Sequence, residues 1–104
     1  MKPALYLLFC TTIEEARKIR AVLLEKRLIA CGGIIKIEEG KYWWKRVYEE
    51  AKDEYVLLME SKEENFDEAE KEIRKIHAHE TFAFFSIPVK TTLDVKKWLK
   101  DELR

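Results

Sequence analysis

Glycine, proline and cysteine are scarce in this chain, with 3, 2 and 2 among 104 residues. So little glycine and proline leaves no room for a flexible linker or a low-complexity segment. A hydrophobic fraction of 47% excludes a disordered chain. The two cysteines, Cys10 and Cys31, do not form the close-spaced pair of a zinc or redox motif, so free thiols are expected. Charge of one sign is also missing. Twenty Lys+Arg offset 20 Asp+Glu, giving a formal net charge of zero and a pI of about 6.7. Nucleic-acid-binding domains usually exceed a pI of ~9, because their affinity comes from neutralising phosphates, so the balance argues against that class. No apolar run approaches the ~18 residues of a membrane-spanning helix. Ala4–Cys10 is too short for a cleavable leader and carries Phe9 where cleavage wants a small residue. Gly32-Gly33 lacks the length and the following lysine of a phosphate loop.

What is present is a regular alternation of elements. The length fits one domain over residues 1–104. Ala4–Cys10 reads as a buried strand. Thr12 with Glu15 makes a capping box, and Ile13, Ala16, Ile19 and Leu23 keep helical spacing after it. Ile29–Gly33 begins an extended segment, Ile34–Ile37 reads as strand, Glu39-Gly40 as a hairpin turn and Tyr42–Tyr48 as the returning strand. Tyr55–Met59 is a further apolar strand. Ser61 with Glu64 repeats the capping box before a charged helix carrying Phe66, Ala69, Ile73 and Ile76. Thr81–Val89 is strand again, and Thr91-Thr92 caps a short terminal helix. Two strand-helix-strand halves of this kind pack as an α+β ferredoxin-like sandwich. It is an antiparallel sheet with two helices on one face, plus the short C-terminal helix.

That sheet is apolar on both sides. Side chains alternate across a strand, so a sheet covered on one face only should carry polar residues at every second position. Yet Ala4, Tyr6 and Leu8 oppose Leu5, Leu7 and Phe9, and Phe82 and Phe84 oppose Ala83, Phe85 and Ile87. Two helices cover one face. Leaving the large side chains of the other in water forgoes roughly 1.5–3 kcal/mol each, so the pattern predicts a homo-oligomer.

Several residues are candidates for chemistry. Tyr42-Trp43-Trp44 is the most unusual tripeptide, and strand alternation sets Trp43 on the face opposite Tyr42 and Trp44. Aromatics on such a sheet can stack RNA bases, but no basic-glycine-aromatic run accompanies them, and core or interface packing is favoured. His77-Ala78-His79, with Cys31 and the adjacent Glu80, offers the soft and borderline ligands that suit copper or zinc. The plainer reading of His77 is a hydrogen bond near a helix C-terminus. Cys31 reads as a small buried hydrophobe, and no base stands beside it in the pattern of a nucleophilic enzyme. The acidic clusters, including Glu68 and Glu72, read as solvated faces.

Taken together, Arg27-Leu28-Ile29-Ala30-Cys31, then Tyr42-Trp43-Trp44, then His77-Ala78-His79-Glu80 before an apolar strand resemble the CutA family of divalent cation tolerance proteins over nearly the whole chain. The resemblance implies a cytoplasmic ferredoxin-like homotrimer akin to the PII signalling proteins, linked to tolerance of copper and other divalent metals and without an established enzymatic reaction. Of the family's functional positions it carries over Cys31, Tyr42, Trp44 and His77, and an inter-subunit cleft lined by these with His79 and Glu60 is expected. Copper or another divalent metal would be held there by Cys31, His77 and His79, with no nucleic-acid or membrane partner. The alternative is a PII-like regulatory module that binds a small anion or a protein partner. The sequence departs from the family pattern at Gly32-Gly33, where Ala-Asn is usual, and at Lys45-Arg46, which replaces an acidic-Gly pair. It departs again at Glu60-Ser61, at His77-Ala78-His79 and at Phe82.

Overall fold

A computed structural model describes residues 1–104. The elements are β1 (Pro3–Cys10), α1 (Ile13–Glu25), β2 (Cys31–Ile37), β3 (Gly40–Trp44), β4 (Val47–Ala51), β5 (Glu54–Lys62), α2 (Phe66–Arg74), β6 (Phe84–Pro88) and α3 (Leu93–Glu102). Four strands form one antiparallel sheet in the order β2-β5-β1-β6, the ferredoxin-like arrangement expected from the sequence. The core lies between that sheet and the helices α1 and α2. Tyr6, Leu8 and Cys10 of β1 with Leu57 and Met59 of β5 meet Ala16, Ile19 and Leu23 of α1 and Ala69 and Ile73 of α2.

The helix ends show how local chemistry sets the boundaries. Thr12 caps α1, its Oγ1 accepting from the Glu15 N–H at 3.0 Å. The Glu15 carboxylate does not return to Thr12 as a capping box would. It accepts instead from the Thr11 N–H at 2.9 Å and, across the fold, from the Ala78 N–H at 2.7 Å. At the other end, Leu28 N–H donates to Leu23 O and Arg27 N–H to Leu24 O, with Arg27 at φ 55°. This is a Schellman closure with arginine where glycine is usual. Thr92 caps α3 as expected.

Three expectations are corrected. The hairpin runs between β3 and β4, turning at Lys45-Arg46, and β2 pairs with β5 rather than with the strand that follows it. Both turn residues have positive φ, 50° and 66°, the two-residue geometry whose twist matches a hairpin but which side chains other than Gly, Asn and Asp resist. Ser61 is no cap: it ends deep in β5, where its hydroxyl donates to Leu28 O at 2.6 Å and pins the α1–β2 connection. The last sheet strand starts at Phe84, not Thr81.

Candidate functional site

The cross-strand register sorts the sheet residues by face, because directly paired residues share a side. Opposite the helices lie the rows Cys31–Glu60–Leu5–Ile87 and Gly33–Leu58–Leu7–Phe85, followed by Ile35–Val56–Phe9. Neither α1 nor α2 covers this face, and α3 reaches β5 but leaves much of the face open. Ile35 and Phe85 are each 52% exposed and Ile87 43%, while Leu5, Leu7, Phe9 and Leu58 are half-buried. The hairpin is barer still: every residue from Lys41 to Glu50 is exposed. As the alternation requires, Trp43 pairs with Tyr48 on one of its sides, the rings 5.2 Å apart, and Trp44 pairs with Val47 on the other, next to Tyr42. Trp43 is 70% exposed.

Cys31 and Glu60 are brought together as register partners at one end of the open face. Cys31 is exposed, contrary to its reading as a buried hydrophobe, and the Glu60 carboxylate takes part in no ion pair, while its backbone O accepts from the Ala30 N–H at 2.9 Å. A thiol and an unpaired carboxylate side by side are a chemically sensible pair of metal donors.

His77 is elsewhere. Its Nε2 lies 2.9 Å from Phe9 O at the far end of β1, and its Nδ1 accepts from the His79 N–H at 3.1 Å. A backbone N–H aimed at Nδ1 places the proton on Nε2, which donates to Phe9 O. The ring is 2% exposed and stacks on Phe82 at 4.8 Å. The plainer reading of His77 thus describes its contacts well: it follows α2, with its own N–H donating to Ile73 O, and clasps β1. His79 is exposed, its ring 5.8 Å from that of His77. Leu5 and Phe9 are four residues apart, so the Cys31 row and the His77 clasp are separated by roughly 13 Å along the strand at ~3.3 Å per residue. One chain does not unite them.

A cluster that sequence reasoning missed surrounds His77: one of its ring nitrogens, the Cys10 sulfur and one Glu15 carboxylate oxygen lie within 4.8 Å of one another. The signal was Cys10 followed by Glu15, but nothing in the sequence linked either to residue 77. The donors fit a metal poorly. Burial, reinforced by the Glu15 carboxylate, pushes the Cys10 thiol up to about 12, and ligation needs a thiolate. Both Glu15 oxygens and both His77 nitrogens already hold backbone groups.

These features define an α+β ferredoxin-like protein with an unshielded apolar sheet face and an aromatic arm. Residues 4–102 match the family described as CutA1 divalent ion tolerance protein. The chain is 38% identical over 91 residues to the divalent-cation tolerance protein CutA of Thermotoga maritima, covering 86% of this chain and 88% of that one. Its fold superposes on the Archaeoglobus fulgidus structure described as periplasmic divalent cation tolerance protein CutA, with a TM-score of 0.91 and 25% identity over 98% and 99% of the two chains. Pyrococcus horikoshii CutA1 gives a TM-score of 0.87 and 26% identity over 97% and 98%. The chain belongs to the CutA1 divalent cation tolerance family. These relatives are named for tolerance, not for a reaction. No helix is long and apolar enough to cross a membrane.

Proposed function

We propose that this chain works as a cytoplasmic homotrimer that takes part in tolerance of divalent cations, copper among them, by binding metal at a cleft between subunits rather than by catalysis. The observation that carries the reading is the open apolar face, bordered at one end by the Cys31–Glu60 pair. Burying that face on neighbouring copies removes several large side chains from water, and the same packing leaves the Cys31 end at a subunit boundary. Cys31 supplies the soft donor and Glu60 the hard one. The His77–His79 segment of an adjacent copy supplies imidazole, His79 being the ring with free access while His77 holds the segment in place. Tyr42 and Trp44 of the hairpin line the cleft.

Sedimentation of the metal-free protein tests the assembly, and calorimetry with Cu(I), Cu(II) and Zn(II) tests the site. Cys31→Ala, His79→Ala and Glu60→Gln should each weaken binding by ~10-fold or more. A monomer at micromolar concentration would overturn the assembly, and unchanged affinity in all three variants would remove the site.

A further inference from the structure

On the other side of the sheet α1 passes over the β2 edge. A groove of about 420 Å³ lies there, lined by Ile13, Arg17, Arg20, Ile34, Lys36 and Tyr55. Ile13, Arg17 and Arg20 are spaced i, i+4 and i+7, so they form one stripe of α1 turned toward the strand. Ile34 and Lys36 alternate onto the same side of β2, and Lys36 is the register partner of Tyr55. The floor is therefore aliphatic with a phenol ring at one end, and the rim carries three cations.

No carboxylate lines the groove, and none of Arg17, Arg20 and Lys36 takes part in an ion pair. In a chain whose charges balance at 20 against 20, this is a local excess the protein does not neutralise itself. Some cations elsewhere are paired, Lys26 and Lys75 on Glu72, Arg74 on Glu70 and Lys97 on Asp101, and others are not; what sets Arg17, Arg20 and Lys36 apart is that all three line one groove with an apolar floor. Arg20 is also held in position. Its Nη1 donates to Gly32 O at 3.3 Å, and its Cγ and Cδ pass 3.0 and 3.1 Å from where a Cβ on residue 32 would stand. Glycine at 32 is what lets the arginine stem lie across the strand.

We infer that this groove binds a small phosphorylated molecule with a flat apolar body, its phosphoryl oxygens taken by Arg17, Arg20 and Lys36 and its body laid on Ile13, Ile34 and the Tyr55 ring. Guanidinium groups match phosphate oxygens in pairs, and lysine adds a point charge. The apolar floor rewards a ligand that is more than an ion. The site shares no residue with the Cys31 cleft, so it stands whether or not metal binds there.

The test is calorimetry on chelator-treated assembled protein at physiological ionic strength, with phenyl phosphate, inorganic phosphate and phenol as probes. Phenyl phosphate should bind roughly tenfold tighter than inorganic phosphate, and phenol should give no heat. The double variant Arg17→Gln/Arg20→Gln should weaken phenyl phosphate by roughly tenfold or more, and Gly32→Ala by a smaller factor as the Arg20 stem is displaced. Lys96→Gln on α3 should leave it unchanged. Thermal melts confirm that each variant folds. Absence of phenyl phosphate binding, or binding that survives Arg17→Gln/Arg20→Gln, would overturn the assignment, as would an equal loss in Lys96→Gln, which would reveal bulk charge only.

Discussion

Replacing His77 by alanine separates a structural clasp from a metal ligand. The imidazole is 2% exposed, donates to Phe9 O at 2.9 Å, accepts from the His79 N–H at 3.1 Å and stacks on Phe82. Its removal takes the ring donor from the partly buried Phe9 carbonyl, while the exposed His79 amide turns to water. An unpaired buried polar group costs ~1–3 kcal/mol, and the void beneath Phe82 adds to it. About 2–4 kcal/mol in all is expected. For a chain of this length that lowers the melting temperature by ~8 °C or more. The assay is thermal or urea unfolding of metal-free protein at one fixed concentration, since assembly makes the midpoint concentration-dependent. If metal-free His77→Ala melts within ~2 °C of the parent, the ring does not clasp β1 and the reasoning is wrong.

Phe85→Lys sets a charge in the middle of the open face without touching the core. The variant should fold yet sediment as a monomer, each lost Phe contact removing ~1.5–3 kcal/mol from the interface. Lys45→Asn with Arg46→Gly relieves two positive-φ residues and should stabilise the hairpin by about 1–2 kcal/mol, read as a higher melting temperature. The ammonium groups of Lys26 and Lys75 hold the Glu72 carboxyl below its usual 4.5. Its folded value thus lies under its unfolded one, so its contribution is complete above about pH 5 and fades as pH falls through the lowered value. Glu72→Gln should flatten the acid side of the stability curve and change little once the pH lies well below the lowered value, where the carboxyl is protonated in both states. A disulfide-exchange reagent should modify Cys31 in native protein and Cys10 only after unfolding, because burial keeps the latter a thiol near pKa 12. Two fast-reacting thiols per native chain would contradict this.

The architecture was legible because hydrophobic period and capping residues agree with it. The continuous apolar runs of β1 and β5, Thr12 and Thr92 at helix starts, and the doubled apolar face are all visible in the chain. What failed has a common cause. The Lys45-Arg46 turn carries none of the residues that advertise positive φ, so the aromatic strand was carried through it to Tyr48. Ser61 carries a capping sequence but is claimed by Leu28 O from 33 residues away. Likewise the Cys10–Glu15–His77 cluster and the groove beside Arg20 are assembled by contacts between residues remote in sequence, and local spacing holds no record of them. Cys31 and Glu60 were both singled out, but their adjacency follows only from the β2–β5 register.

Glu15 holds the Thr11 N–H with one oxygen and the Ala78 N–H with the other. The first turn of α1 and the loop after α2 are therefore hung from one carboxylate, 63 residues apart along the chain. Neither can fray alone. Solvent exchange at the Ala78 amide should report the opening of β1's end rather than the mobility of its own surface loop, so a segment that looks peripheral is timed by the centre of the sheet.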